Sequence, residues 1–258
     1  MTVNDVLRCL EQAAPYELAE HWDNCGLLVG RRTASVRGVL CALDITPEVV
    51  AEASERGCNL IVAHHPVIFG KLSRVTGDDP TGALVMQLIE NGIAAICMHT
   101  NMDCSPIGVN DLLAAQLGLL EVKNLGGGES AQLGRIGFLH HPMELDAFVQ
   151  HVKLSLGAGG VRAVAGGSGA IRCVAVGGGA CGDLMELAKQ QGADALVIGD
   201  SNYHTMMHAR EVGIHLLDAG HFPTENAVVQ GFRDLIAEQF PDCTAVISGV
   251  HHDCIRFY

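Results

Sequence analysis

Residues 57–66 read GCNLIVAHHP, and residues 192–200 read GADALVIGD. In both stretches a glycine that would end a helix comes shortly before four apolar residues, the pattern of a short buried strand, and polar residues follow. A second pair of stretches, GIAAICMHTNMD at 92–103 and GIHLLDAGHFPTE at 213–225, repeats this arrangement. The repeat predicts an α/β fold of two related α/β domains with mixed, largely parallel sheets.

The repeat also suggests how the chain is divided. It predicts a first α/β half at 1–125, a connecting strand and helix at 126–169, and a second α/β half at 170–258. Chance similarity between ordinary strand-helix units is the alternative to a duplication. The apolar spacing near the start of the chain predicts a helix over residues 3–20.

The amino-acid composition and net charge disfavour several classes of protein. The chain has 258 residues, with 16 Lys and Arg against 29 Asp and Glu, so its net charge is −13. This charge disfavours a general nucleic-acid binder, which needs a basic face. No apolar run approaches the roughly 18 residues of a membrane span. The ten cysteines form no CxxC pair, which favours reduced thiols and a cytoplasmic location.

Polar side chains cluster where the predicted strands end, which is where open α/β sheets bind ligands. If the two halves pack about a pseudo-twofold axis, these loops would meet in one cleft. Histidine and carboxylate there are ligands for Fe, Zn, Mn or Co. Ordinary polar loops are the alternative. The residues concerned are His64, His65, His99, Asp103, Asp200, His221 and Glu225.

Several of these motifs together resemble one protein family. The chain is similar to the Nif-three-like family, whose members are often called GTP cyclohydrolase I type 2 homologues, and it has the length of the short form. The resemblance extends over nearly the whole chain, in order. The motifs that carry it are HHP at 64–66, HTNMD at 99–103, GHFPTE at 220–225, WDNCGL at 22–27, GVND at 108–111, GRIG at 134–137 and GD at 199–200.

The resemblance implies a dinuclear metal site in the cleft between two related α/β domains, in subunits that form a homohexameric ring. Two divalent ions (Fe, Zn, Mn or Co) would be bound per subunit. In the implied arrangement His64 and Asp103 hold one ion, His65 and His221 hold the other, and Glu225 bridges them. His99 and His204 match family positions near the site and are candidate proton donors.

The activity that the resemblance implies is metal-dependent hydrolysis of a small molecule, namely GTP, with water opening the guanine ring at C8 and formate released. Two alternatives stay open. One is a nucleotide phosphoesterase that uses the same ions, and the other is a non-catalytic protein that binds or delivers metal. A metal site specifies reactivity rather than substrate, so the sequence does not choose among them.

Other motifs have competing interpretations. The GGGACG stretch at 177–182 fits a dinucleotide fingerprint, a phosphate cradle or a tight strand-helix turn. Pro142, after His140 and His141, is expected to open a helix. His204 and His208 would share a helix face. The remaining residues are Trp22, which could stack on a purine or anchor the first helix, Lys71 and Arg74, which could pair with an anionic substrate, and His251 and His252, expected in a loop beside a last strand.

Overall fold

The computed structural model describes residues 1–126 and 133–258, so residues 127–132 at the start of the predicted connecting segment lie outside the described residues. Its helices are α1 (Val3–Ala13), α2 (Pro47–Glu55), α3 (Pro80–Glu90), α4 (Thr100–Cys104), α5 (Val109–Gln116), α6 (Leu145–Leu156), α7 (Met185–Gln190), α8 (Tyr203–Val212), α9 (His221–Glu225) and α10 (Ala227–Gln239). Its strands are β1 (Gly26–Val29), β2 (Gly38–Ala42), β3 (Leu60–Ala63), β4 (Ala94–Cys97), β5 (Leu120–Asn124), β6 (Arg135–Met143), β7 (Arg162–Val164), β8 (Ile171–Gly177), β9 (Ala195–Ile198), β10 (His215–Asp218) and β11 (Thr244–Ile247).

The first unit comprises Met1–Met102 and Val228–His252. Its sheet has the order β1-β4-β3-β2-β11, in which β1 is antiparallel to β4 and the other neighbours are parallel. Every residue of β2, β3 and β4 is buried, which explains why these strands are continuous apolar runs. Thr46 caps α2 and Pro47 begins it, as expected for a helix that follows a strand closely.

The second unit comprises Asp103–Ala227 and Asp253–Tyr258. Its sheet has the order β5-β6-β8-β9-β10-β7. The pairs β8 with β9 and β9 with β10 are parallel, and the remaining pairs are antiparallel. Apolar side chains on the two faces of this sheet form separate core clusters, one with Phe148 and Val152 from α6 and one with Met185 and Ala188 from α7.

The two units share one strand order. The order β1-β4-β3-β2 in the first sheet is matched by β7-β10-β9-β8 in the second, and the outermost strand of each set runs antiparallel to its neighbour. Helices also follow equivalent strands, since α4 comes after β4 and α9 after β10. The prediction of two α/β domains with mixed, largely parallel sheets is confirmed, and the matching order is what an internal duplication produces.

Each unit also contains a strand from the other half of the chain. The last strand of the chain, β11, pairs with β2 in the first unit, whereas β5 pairs with β6 in the second. The boundaries of the two units are therefore set by contacts between strands, and they differ from the boundaries of the sequence repeat. The boundaries at 125 and 169 concern the repeat and stay a prediction.

Two local expectations were wrong. The helix predicted over 3–20 ends at Ala13, because Pro15 disfavours helical backbone at the residue before it and a 3₁₀ turn follows at Tyr16–Leu18. Pro142 does not open a helix, since it lies in β6. The next helix begins at Leu145, after Glu144.

None of the ten cysteines is in a disulfide bond, and five of them are buried. All ten lie within the described residues. Burial raises the pKa of the Cys97 thiol to about 12, so this thiol stays protonated at neutral pH.

Within residues 1–126 and 133–258, no helix has both the length and the apolar composition that crossing a membrane requires.

Candidate metal centre

Three histidines meet at the carboxyl ends of two neighbouring strands in the first unit. His64 and His65 directly follow β3, and His99 comes two residues after β4, which pairs with β3 in parallel. One ring nitrogen from each of these histidines lies within 4.8 Å of those from the other two. Imidazole nitrogens this close together could hold a metal ion, since Zn, Fe, Mn and Co all accept them as ligands.

Each of the three rings is held at its Nδ1 atom by an oxygen. The pairs are His64 with the carbonyl oxygen of Met98 (2.8 Å), His65 with Oδ1 of Asp44 (2.7 Å) and His99 with Oδ1 of Asp23 (2.9 Å). Carbonyl and ionised carboxylate oxygens only accept hydrogen bonds, so Nδ1 donates and Nε2 keeps its lone pair. This is the tautomer that a histidine needs to bind metal through Nε2.

Asp44 is the carboxylate behind His65. Its second oxygen, Oδ2, lies 3.0 Å from His251 Nε2, in the loop that follows β11. Burial raises the pKa of Asp44, but hydrogen bonding to His251 and His65 outweighs burial and holds this pKa well below its ordinary value. Asp44 is therefore ionised at neutral pH and can only accept from His65.

Asp23 does the same for His99. Burial raises the pKa of Asp23, but hydrogen bonds from His99, Thr100 and Cys25 outweigh it and hold the pKa well below its usual value. Its Oδ2 accepts from the backbone N–H of Thr100 at 3.0 Å. The start of α4 and the ring of His99 are thus fixed by one buried carboxylate.

The second unit has a histidine and a carboxylate on one short helix. His221 and Glu225 are four residues apart on α9, and His221 Nε2 lies 3.0 Å from Glu225 Oε2. His221 Nδ1 lies 2.7 Å from Asp200 Oδ2. The ring is therefore held as His65 is held, by a carboxylate on Nδ1, and its Nε2 is directed at a buried carboxylate.

Two glycines make room for this pair. A Cβ on Gly179, which has φ of +67°, would lie 2.3 Å from Glu225 Oε1 and 3.1 Å from His221 Nε2. A Cβ on Gly178 would lie 3.2 Å from Glu225 Cγ. The glycine-rich loop at 177–182 is explained by this close approach of backbone to side chains.

Two backbone N–H groups of the same loop donate to side chains within the second unit. Gly178 donates to Asn110 Oδ1 at 2.9 Å and Gly179 donates to Thr224 Oγ1 at 3.1 Å. Asp200, which follows the next strand, contacts His221. These contacts favour the tight-turn interpretation of the loop over the phosphate-cradle and dinucleotide interpretations.

Asp103 is buried near the end of α4 and is connected to the glycine loop. Its carbonyl oxygen accepts from Asn110 Nδ2 at 2.9 Å, and Asn110 in turn accepts from Gly178. Asn110 is fully buried. One amide side chain therefore joins the segment that carries Asp103 to the loop that accommodates Glu225.

The other histidines lie elsewhere. His204 is exposed on α8 and makes a ring contact with Tyr203. His208 contacts Glu186 and Glu211 on the surface. The exposed pair in β6 is joined by one hydrogen bond, between His140 Nδ1 and His141 Nε2.

Sequence reasoning missed the groups that hold the histidines. The sequence pattern does not mark Asp44, and it marks His251 only as part of a terminal loop. Asp23 and Asn110 lie in motifs quoted above, but the pattern gives no partner for them. Asp44 lies two residues after β2, so a carboxylate just beyond a strand end was the available signal.

Comparison with known proteins identifies the family. A sequence model described as Duf34/NIF3 (NGG1p interacting factor 3) matches residues 1–253. The chain belongs to the Duf34/NIF3 family. Among curated Duf34/NIF3 relatives, a GTP cyclohydrolase 1 type 2 homolog of Clostridium perfringens is 34% identical over 262 residues, covering 100% of both chains. One of Clostridium acetobutylicum with the same name is 36% identical over 229 residues, covering 87% of this chain and 85% of its own.

Solved structures agree with this membership. A Bacillus cereus protein described as related to NIF3 superimposes with a TM-score of 0.92 at 27% identity, covering 100% of this chain and 99% of its own. The Duf34/NIF3 fold is thus shown by both sequence and structure. Within it, this chain has histidine and carboxylate groups that could bind metal.

Proposed function

We propose that this protein binds two divalent metal ions and is a metal-dependent hydrolase of the GTP cyclohydrolase 1 type 2 kind. The proposed ligands are His64, His65, Asp103, His221 and Glu225, with Glu225 shared by both ions as the family resemblance implies. The observation that carries the proposal is that Nδ1 of His64, His65 and His221 each lies within 2.8 Å of an oxygen, so that each ring would bind a metal through Nε2. His221 Nε2 lies 3.0 Å from the Glu225 carboxylate that would share the ion.

The donor set fits a divalent ion of intermediate hardness. Imidazole nitrogen together with carboxylate oxygen suits Fe, Zn, Mn and Co, and the set contains no thiolate. Glu225 and Asp103 are buried, and ionised carboxylates in such surroundings are stabilised by a cation. The donor chemistry thus supports metal binding without selecting one metal.

The proposed reaction is hydrolysis at C8 of a guanine nucleotide. Bound divalent ions supply a water that is activated near neutral pH. Addition of water at C8 opens the imidazole ring, and a second water releases C8 as formate. Of the two candidate proton donors, His99 lies in the histidine cluster, whereas His204 is exposed on α8. We therefore propose His99 as the residue that protonates the leaving ring nitrogen.

The negative net charge of the protein favours a role for divalent ions in binding GTP. GTP carries roughly four negative charges, and the chain has a net charge of −13. Divalent ions would offset this repulsion, and the loop residues Lys71 and Arg74 would add to the effect. A cytoplasmic location is consistent with ten cysteines that form no disulfide bond, and a homohexamer remains a proposal from the family resemblance.

The test is formate release from GTP by metal-reconstituted protein, measured together with metal per subunit. Glu225→Ala should bind metal about tenfold or more weakly and release no formate, since a shared ligand serves both ions. His140→Ala is the matched control, because His140 lies in an exposed pair in β6, and it should keep both metal and activity.

Each other result has a definite meaning. Two bound ions without formate would discard the cyclohydrolase activity and leave the metal site. Release of phosphate instead of formate would make the protein a nucleotide phosphoesterase. Reversible metal loading without turnover of any nucleotide would favour metal binding or delivery. Unchanged metal content in Glu225→Ala would contradict the ligand assignment itself.

A further inference from the structure

Two large aromatic side chains lie exposed beside His99. Trp22 is 51% exposed and Phe69 is 59% exposed. Their ring centroids are 5.8 Å apart, and they lie 6.1 Å and 6.0 Å, respectively, from that of His99. The three rings therefore form one aromatic corner, which joins the cluster of His64, His65 and His99.

The fold does not need these two rings in a core. Neither belongs to the core cluster that side chains of β1, β2, β3, β4, α2 and α3 form in the first unit. A buried aromatic side chain usually removes 150–250 Å² from water, roughly, and leaving half of such a ring exposed loses much of that stabilisation. Two such rings in contact at the surface mark a binding position more readily than a structural one.

Hydrogen bonds fix the chain segments that carry the two rings. Asp23, next to Trp22, accepts hydrogen bonds from Thr100 and His99. Asn24 donates from Nδ2 to the carbonyl oxygen of Ile68, next to Phe69, at 2.6 Å. The two chain segments are thus joined to each other and to His99 without burying either ring. Such pre-organisation reduces the entropy lost when a ligand stacks on them.

We propose that Trp22 and Phe69 form an aromatic subsite that stacks a planar heteroaromatic ring and directs its edge toward His99. The two ring planes are inclined by 46° to each other and each by 72° to the ring of His99, so a ligand ring parallel to either one is steeply inclined to His99. Lys71 lies two residues beyond Phe69 and is exposed, which suits an anionic substituent on the ligand. The subsite rests on the proposed function, since it binds the substrate of that same site.

Trp22 is the only tryptophan of the chain, so its fluorescence reports on this subsite directly. Titration of the wild-type protein with guanosine should quench this fluorescence in a saturable manner. Ribose 5-phosphate, which has no aromatic ring, should leave it unchanged. Equal effects of the two compounds, or no saturable quenching by guanosine, would overturn the proposal.

Variants of Phe69 separate stacking from a general effect on the loop. Phe69→Leu should weaken guanosine binding by about tenfold, whereas Phe69→Tyr should keep it, because only a planar ring stacks. Phe138→Leu is the matched control, since Phe138 is a partly exposed phenylalanine in the second unit. Equal guanosine affinity in Phe69→Leu and wild type would contradict the subsite.

The subsite and the proposed activity can fail separately. Saturable quenching without formate from GTP would support the subsite and discard the cyclohydrolase activity. Formate release with the same KM for GTP in wild type and Phe69→Leu would support the activity and overturn the subsite. A raised KM in Phe69→Leu, with unchanged metal content, is the result expected if both are correct.

Discussion

The two units place different groups after equivalent strands. In the first unit, β2 is followed by Asp44, which holds His65, and β3 is followed by the histidine pair itself. In the second unit, the equivalent strand β8 is followed by Gly178 and Gly179, and β9 by Asp200, which holds His221. Both units thus hold a histidine by a carboxylate, but from different loops.

This difference shows which features the two related units share. Equivalent strand ends give equivalent positions for side chains, because the carboxyl ends of parallel strands meet at one edge of a sheet. The role at each position is set by its own residue. In the first unit the loop after the first parallel strand supplies a charge, and in the second it supplies space.

Gly179→Ala tests whether the space beside Glu225 is needed. We expect this variant to lose more stability and metal affinity than the variants below. The new Cβ meets Glu225 and also places alanine at positive φ, so we expect a loss of about 2–5 kcal/mol of unfolding free energy together with weaker metal binding. Gly169→Ala is the matched control, since Gly169 also has positive φ but nothing within 4 Å of its Cβ. Equal losses in urea unfolding would show that space beside Glu225 is unimportant.

Asp44→Asn and Asp200→Asn test the charge in the two units. An amide accepts a weaker hydrogen bond than a carboxylate, so Nε2 of the ligand histidine becomes less basic and metal affinity should fall by about 10–100-fold. The fall in metal affinity should be at the upper end of this range for Asp44→Asn, because Asp44 also contacts His251. Competition with a chelating dye measures this, and the exposed Asp78→Asn should match the wild type. If metal affinity were unchanged in both variants, the two carboxylates would have no role in metal binding.

Glu52→Gln tests the edge at which the two sheets differ, where β11 is parallel to β2 but β6 is antiparallel to β8. Glu52 of α2 accepts from Ser248 Oγ at 2.6 Å and from the Gly249 N–H at 2.9 Å, directly after β11. Losing these charged acceptors should cost about 1–3 kcal/mol in urea unfolding near neutral pH. The exposed Glu55→Gln on the same helix should cost little.

The pH dependence of this loss has a definite sign. Burial raises the pKa of Glu52, but hydrogen bonds from Ser248 and Gly249 outweigh it and lower the pKa below its ordinary value. A carboxyl with a lowered folded-state pKa stabilises the fold above its unfolded pKa of about 4.3 and loses this effect as pH falls below it. The difference between Glu52→Gln and wild type should therefore shrink on acidification. A constant difference would mean that the charge of Glu52 is irrelevant.

Much of the fold was predictable because it depends on local pattern. The glycine, apolar run and polar loop at 57–66 and 192–200 placed β3 and β9 correctly, since buried parallel strands are short and continuously apolar. The exchange of β5 and β11 was not predictable. Neither strand has an apolar pattern that specifies its partner, and partner choice depends on tertiary packing.

The candidate site shows the same limit. His64, His65, His99 and His221 follow strand ends, so sequence position alone marked them. Their partners did not follow from pattern, because Asp23 is 76 residues from His99 and His251 is 207 residues from Asp44. Contacts over such separations depend on how loops from different strands meet, which a single sequence does not encode locally.

Among the strands in residues 1–126 and 133–258, β11 is synthesised after all the others. When residues 1–227 have been synthesised, every strand from β5 to β10 of the second unit exists, but the first unit still lacks β11 and α10 beyond its first residue. Until residues 244–247 arrive, β2 has an unpaired edge of the kind that recruits other strands. The first unit therefore gains its last strand only after every strand of the second unit has been synthesised, and truncation before β11 should favour aggregation.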